Sequence, residues 1–215
     1  MRIFIDTANL DEIKEALDMG ILDGVTTNPS LIAREGRAFA AQIKEICGLV
    51  SGPVSAEVTV PGADGMFSQA KDLAKIAGNV VVKLPTTAEG LKALRQCRDA
   101  QIRTNMTLIF QPLQALLVAK LGAGFCSPFV GRLDDIGHDG MRVMADIRRM
   151  YDNFPHFDTE ILAASLRHPR HVVQAAMCGA DAATLSLGII KKLLDHPLTD
   201  IGLEKFLSDY RKLQD

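Results

Sequence analysis

Val80-Val81-Val82-Lys83-Leu84-Pro85-Thr86 is the stretch whose reading decides the fold. Three consecutive valines make a run that is apolar on both faces, the pattern of a strand buried in a parallel sheet. A lysine stands near its end and a proline stops it. Lysine is among the residues least often fully buried. Removal from water disfavours an ammonium, so a buried lysine is in part a free amine. A free amine at the mouth of a sheet is a nucleophile for carbonyl carbon, the first step of Schiff-base chemistry. The plain alternative is a strand-end lysine whose stem packs and whose head reaches water.

Outward from this strand the pattern alternates. Before it come strands over Arg2 to Asp6, Ile21 to Thr27 and Pro53 to Thr59. After it come strands over Ile102 to Thr107, Gly124 to Pro128, Asp158 to Ala164 and Ala182 to Leu185. Each is followed by a helical pattern. Asn9 with Glu12 reads as a capping box for the first helix, and Gly20 closes it. Ser30 is a candidate cap for a helix running from Leu31 to Val50, with a break at Gly36. Thr87, three residues before Gly90, opens the helix that follows Lys83. Pro169 sits at the tolerated first turn of the seventh helix. Gly131-Arg132-Leu133-Asp134-Asp135 reads as a polar loop after the sixth strand.

Eight strands alternating with eight helices imply a parallel sheet, and on 215 residues they most simply close into a (β/α)8 barrel. A doubly wound open sheet is the competing fold. It lacks support at the first strand, where the turn is Thr7-Ala8-Asn9 and no Gly-rich dinucleotide fingerprint follows. Residues 1–215 read as one barrel domain. Residues 199–213 remain as a ninth helix with a broad apolar face, including Ile201, Leu203, Phe206, Leu207 and Tyr210. A helix past barrel closure has no slot in its own subunit, so packing on a second copy is expected.

Net charge is −2, which provides no global basic field for nucleic acid or an anionic membrane. No run of eighteen apolar residues and no signal core is seen, so neither membrane spanning nor secretion is expected. The four cysteines are far apart, with no CxxC and no Cys/His cluster. Free, mostly buried thiols in a cytosolic chain are the simpler account, and zinc is not expected.

A barrel concentrates chemistry at the C-terminal ends of its strands. That rule selects Asp6; Thr26 and Asn28; Glu57 and Thr59; Lys83; Asn105 and Thr107; Ser127, Phe129 and Arg132; Ser165 and Arg167; Thr184 and Ser186. Singly, each has an ordinary structural reading as cap, turn residue, barrel plug or surface ion cluster. Together they place one amine, two carboxylates and two arginines on one face. Carboxylates move protons in such sites. Arginine suits phosphate because its fork binds in a bidentate manner. Carbonyl chemistry on a phosphorylated substrate needs that combination.

Several blocks carry a resemblance. They are Asp6-Thr7-Ala8-Asn9, Gly24-Val25-Thr26-Thr27-Asn28-Pro29-Ser30-Leu31, Val81-Val82-Lys83-Leu84-Pro85-Thr86, Asn105-Met106-Thr107-Leu108-Ile109-Phe110 and Ser127-Pro128-Phe129-Val130-Gly131-Arg132-Leu133-Asp134-Asp135. In this order they resemble the signature blocks of the transaldolase family, in its short subfamily, which also contains the fructose-6-phosphate aldolases. The resemblance implies a class I enzyme of the pentose phosphate pathway that needs no cofactor or metal and acts on sugar phosphates. Lys83 would form the Schiff base and Asp6 would transfer the proton that accompanies C–C cleavage. Glu57 and Thr107 would bind a proton-relaying water. Thr26, Asn28, Asn105 and Ser127 would line the donor site, the last three holding its hydroxyls. Arg132, Ser165 and Arg167 would bind the phosphate. Glu57 and Phe129 resemble the transaldolases, whereas the aldolase branch usually has Gln and Tyr there. Transfer of a dihydroxyacetone unit is therefore expected. Release of that unit by a lyase, or a catalytically silent phosphosugar-binding barrel, are the alternatives. One departure is Gln111, where many relatives have a small hydroxyl residue. The subfamily's decamers of two pentameric rings imply a homo-oligomer.

Overall fold

The computed structural model describes residues 1–213. Its strands are β1 (Arg2–Asp6), β2 (Gly24–Thr26), β3 (Val54–Glu57), β4 (Val80–Pro85), β5 (Thr104–Ile109), β6 (Phe125–Pro128), β7 (Glu160–Ala163) and β8 (Ala182–Leu185). Each pairs in parallel with its neighbour in sequence, and β1 pairs with β8, so the sheet closes into a barrel. Helices wrap the outside. They are α1 (Leu10–Asp18), α2 (Pro29–Arg34), α3 (Phe39–Leu49), α4 (Ala63–Ala74), α5 (Ala88–Asp99), α6 (Pro112–Lys120), α7 (Val130–Asp134), α8 (Gly140–Tyr151), α9 (Pro169–Met177), α10 (Leu187–Lys192) and α11 (Pro197–Arg211). The expected (β/α)8 barrel with an added C-terminal helix is the observed fold.

Local differences have physical causes. The break expected at Gly36 is present: α2 and α3 are parted where Gly36 takes φ +64°. Ser30 does not cap α2. Pro29 already occupies the first turn, and Asn28 Oδ1 accepts from Leu31 N at 3.0 Å instead. Asn9 caps α1 as expected, but the return arm of a capping box is absent: Asn9 N donates to Thr7 Oγ1 rather than to Glu12. The stretch read as a polar loop after β6 is α7. Val130 and Leu133 bury its inner side while the charged residues occupy the rest, so one short turn of helix looks like loop in the sequence. Thr87 caps α5 through Gly90 N at 3.0 Å.

Period-two alternation divides every strand between two environments. Ile5, Val25, Val54, Ala56, Val82, Leu84 and Met106 face the helices and join the main core. Their neighbours face the barrel axis. There Phe4, Val81, Phe125, Leu162 and Ala182 form a separate apolar floor. Phe4 and Phe125 meet edge to face at 6.0 Å. A Cβ on Gly24 would stand 2.9 Å from the Phe4 ring, so the glycine leaves the space that ring fills. Beneath the floor Arg2 lies against both rings and pairs with Glu160. Above the floor the same inward positions turn polar: Asp6, Thr26, Ser55, Glu57, Lys83, Asn105, Ser127 and Thr184. The sequence thus builds a closed bottom and a polar mouth with one alternation.

The C-terminal helix α11 buries none of its residues. Phe206 is 72% exposed and Leu198 70%. Among the described residues no helix is long and apolar enough to cross a membrane.

Candidate active site

Lys83 is only 5% exposed, because β4 is flanked by β3 and β5 and its inward face is sealed below by Val81. The β3–β4 register sets Glu57 directly opposite Lys83. The Lys83 Nζ stands 3.1 Å from Glu57 Oε2 and donates to the Thr27 carbonyl, also at 3.1 Å. A cation leaving water needs such partners, and a carboxylate with a backbone oxygen supplies two. A third hydrogen position of an ammonium, or the lone pair of an amine, remains beyond these two partners, and Lys83 lines the cavity.

Asp6 ends β1 opposite Thr26. Thr26 Oγ1 donates to Asp6 Oδ1 at 2.7 Å and lies 2.6 Å from Thr184 Oγ1. A hydroxyl has one proton, so Thr184 donates to Thr26 and the three residues form a directed chain ending on the carboxylate. On the far wall Ser127 Oγ donates to Asn105 Oδ1 at 2.7 Å, and Asn105 Nδ2 donates to Ser55 Oγ at 3.1 Å. Asn105 is fully buried, so these bonds fix its amide orientation. Thr107 is buried beside them, and its Oγ1 has no protein partner. A buried hydroxyl of this kind is satisfied by water or by a ligand.

The cavity above these groups holds about 740 Å³. Every residue assigned a role from the sequence lines it: Asp6, Thr26, Asn28, Glu57, Lys83, Asn105, Thr107, Ser127, Phe129, Arg132, Ser165 and Arg167. Thr59 does not. It lies on the outer rim with its amide bound to Gln69. Asn28 keeps one side-chain group for the cavity, since its Oδ1 is committed to the α2 cap.

The cationic end of the cavity is built from α7 and the chain after β7. The Arg132 guanidinium lies 4.9 Å from the centre of the Phe129 ring, and Phe110 braces that ring edge-on at 5.8 Å. Arg167 pairs with Asp135 at 2.8 Å on the surface. Asp134 turns away to His171, at 3.0 Å from its Nε2. The acidic pair beside Arg132 is therefore not a simple ion cluster: each acid serves a different partner. Burial, reinforced by the neighbouring His168, holds the His171 imidazole below its ordinary range against the opposing pull of Asp134.

Two cavity residues carry backbone strain. Leu108 has φ +60° and Ser165 φ +58°. Non-glycine residues occupy this region at a cost, and such strain clusters at functional sites. The Leu108 strain coincides with a register shift between β5 and β6. Side-chain chemistry in the sequence gives no sign of either. Nor does it single out Lys192, a cation from α10 at the cavity edge. Gln111 precedes α6 without capping it, so a small hydroxyl at that place would act on the helix and not on the cavity.

Comparison with known proteins agrees with this arrangement. Residues 3–215 match the family model described as transaldolase/fructose-6-phosphate aldolase. A protein of Desulfosudis oleivorans named "Probable transaldolase" is 57% identical over 212 residues, 99% of each chain. A like-named protein of Caldicellulosiruptor saccharolyticus is 55% identical over 99% of this chain and 98% of its own. A third, from Thermodesulfovibrio yellowstonii, is 53% identical over the whole of both chains. With the closed barrel and its lysine-bearing fourth strand, the chain belongs to the transaldolase/fructose-6-phosphate aldolase family.

Proposed function

We propose that the protein is a transaldolase that moves a dihydroxyacetone unit from a ketose phosphate to an aldose phosphate through a Schiff base on Lys83. The observation that carries this reading is a lysine amine buried at the end of β4, 3.1 Å from a carboxylate, in a cavity whose far end is cationic. The donor is sedoheptulose 7-phosphate or fructose 6-phosphate. The acceptor is glyceraldehyde 3-phosphate or erythrose 4-phosphate.

In this mechanism Lys83 Nζ, relieved of a proton, attacks the C2 carbonyl. The carbinolamine loses water to give the imine. Glu57 and Thr107 hold the water that carries protons in this step; the unpartnered Thr107 Oγ1 supports that role. Asp6 then takes the proton of the C4 hydroxyl as the C3–C4 bond breaks, releasing the aldose and leaving an enamine. The enamine carbon attacks the acceptor aldehyde, Asp6 returns a proton to the new alkoxide, and water hydrolyses the imine. Thr26 orients Asp6, while Asn28, Asn105 and Ser127 receive the donor's hydroxyls. Arg132, Ser165 and Arg167 hold the phosphate. No cofactor enters these steps.

Phe129 has no hydroxyl with which to bind water near the adduct. This favours passing the unit to a second sugar over releasing it. The reading extends to work in the cytoplasm, within the pentose phosphate pathway. It also extends to a homo-oligomer built as two pentameric rings, with α11 on a neighbouring subunit. The uncovered apolar face of α11 supports that last point.

Borohydride reduction with fructose 6-phosphate, followed by peptide mapping, tests the mechanism. A stable adduct on the Lys83 peptide is expected, and an adduct elsewhere defeats it. Turnover that depends on erythrose 4-phosphate separates the transferase from a lyase.

A further inference from the structure

His171 is a buried imidazole that the mechanism does not use and that lies outside the cavity lining. Its Nδ1 accepts from the Arg167 backbone N–H at 3.2 Å. That fixes the tautomer: Nε2 carries the proton and donates to Asp134 Oδ2 at 3.0 Å. The other Asp134 oxygen accepts from Gly140 N, where α8 begins. Asp134 ends α7, the helix that carries Arg132. The same two segments also meet directly. Gly131 N donates to Ser165 O at 2.8 Å. A Cβ on Gly131 would stand 2.3 Å from that oxygen and 2.6 Å from Arg167 Cγ, so nothing larger than glycine fits the joint.

We propose that His171 is a positioning residue for the anion end of the cavity, clamping the Arg167 main chain to the helix that carries Arg132. The clamp holds two arginines on separate segments in one fixed relation, which a bidentate anion site needs. The inference rests on the reading of Arg132, Ser165 and Arg167 as the phosphate site.

The clamp works only with a neutral imidazole. A proton on Nδ1 would set a donor against the Arg167 N–H. The charged or titratable groups facing His171 are Asp134 from α7, and Arg167 and His168 from the segment after β7. The His168 ring centre is 3.7 Å away, and Asp135 balances Arg167 on its outer side. Asp134 alone favours the protonated form; burial, His168 and Arg167 oppose it.

The test compares wild type with His171→Ala, His171→Gln and Arg167→Ala. The readouts are KM and kcat for fructose 6-phosphate, competitive inhibition by inorganic phosphate, and borohydride trapping with unphosphorylated dihydroxyacetone. His171→Gln is expected to raise both the KM and the phosphate inhibition constant about fivefold, the loss of one hydrogen bond. Its effect on kcat and on dihydroxyacetone trapping is expected to be under about twofold, by the same reasoning on uniform binding. Because burial holds the imidazole below its ordinary range, the variant-to-wild-type KM ratio should shrink toward one only at a pH well under the free-histidine value of about 6.5, where wild type loses the clamp by protonation. If His171→Ala does not fold, His171→Gln carries the test. It nearly keeps the volume and a donor for Asp134 while removing the ring nitrogen that accepts from the Arg167 N–H. A pH-independent ratio, or equal losses with dihydroxyacetone, would overturn the proposal. An unchanged phosphate inhibition constant in folded His171→Gln overturns the clamp alone, provided Arg167→Ala raises that constant. If Arg167→Ala also leaves it unchanged, the phosphate-site reading falls and takes the clamp with it.

Discussion

The Thr26 hydroxyl donates to Asp6 Oδ1 at 2.7 Å across the register that joins β1 to β2, and it receives the Thr184 proton from the other side. The bond occupies one oxygen of the carboxylate and directs the other. Thr26→Val keeps the shape and removes the donor. A hydrogen bond to a charged group contributes about 1.5–3 kcal/mol. If part of that is used while Asp6 handles its proton, kcat falls about tenfold. A steady-state assay checks this, with circular dichroism to confirm the fold. An unchanged kcat would mean that Thr26 supports the wall and not the carboxylate.

Lys83 and Glu57 form a coupled pair at the bottom of the cavity. Lys83→Met should abolish turnover and the borohydride adduct while leaving Glu57 without its cation. Unpairing a buried charge costs about 3–5 kcal/mol, and the cost here is smaller because the cavity admits water. Adding Glu57→Gln to Lys83→Met should therefore recover part of the lost thermal stability. A double-mutant cycle read by denaturant titration measures the coupling. Strict additivity would show that the pair is not a stability unit.

Phe129 lines the cavity, with Phe110 behind it and Arg132 over it. Phe129→Tyr adds a hydroxyl and keeps the ring. It should raise the release of free dihydroxyacetone in the absence of acceptor several-fold, with KM for fructose 6-phosphate little changed. Phe129→Leu should instead raise KM about threefold, since a cation–π contact at a partly exposed site contributes about 0.5–1 kcal/mol. The two variants separate water handling from arginine support.

The barrel was legible because alternation is a local property: Val80 to Leu84 shows its strand character within five residues. The cavity lining was legible because the C-terminal strand ends select themselves once the alternation is counted. Less legible were features that depend on three-dimensional partners. α7 is too short to show a period, and its buried Val130 and Leu133 look like any loop residues. Asn28 takes the cap from Ser30 because Pro29 starts the helix two residues early. The bend at Leu108 and Ser165 is written in dihedral angles, for which neither side chain has a code. His171 could be found only after folding, when Arg167 N and Asp134 arrive on its two nitrogens.

The cysteines give a chemical check on the core. Burial pushes the Cys47 and Cys97 thiols up to about 11 and Cys126 up to about 12. At about pH 8 on the order of one in a thousand of a thiol near 11 is thiolate. A disulfide reagent should therefore find at most one fast thiol in the native protein, the half-buried Cys178, and four after unfolding. Two or more fast native thiols would contradict the packing. The sign of the pH effect follows. Groups raised on folding stabilise fully below their unfolded value near 9.0, and that contribution is lost as pH rises toward about 11.

Helix α11 provides a solution test of assembly. Truncation at Asp200 removes most of the helix and all of Leu203, Phe206, Leu207 and Tyr210. The mass by light scattering should drop toward that of the single chain, 23.3 kDa, with the barrel's circular dichroism retained. An unchanged oligomer would show that another surface holds the subunits.

The apolar floor of Phe4, Val81, Phe125, Leu162 and Ala182, bolted beneath by Arg2 and Glu160, makes the barrel a well stopped at the bottom. Under the proposed mechanism, with a three-carbon unit fastened to Lys83, the departing aldose and the arriving one would need the same mouth and the same arginines. They would have to queue. The order of events would then be imposed by plumbing as much as by chemistry, and a lingering first product would block the second substrate without touching the lysine.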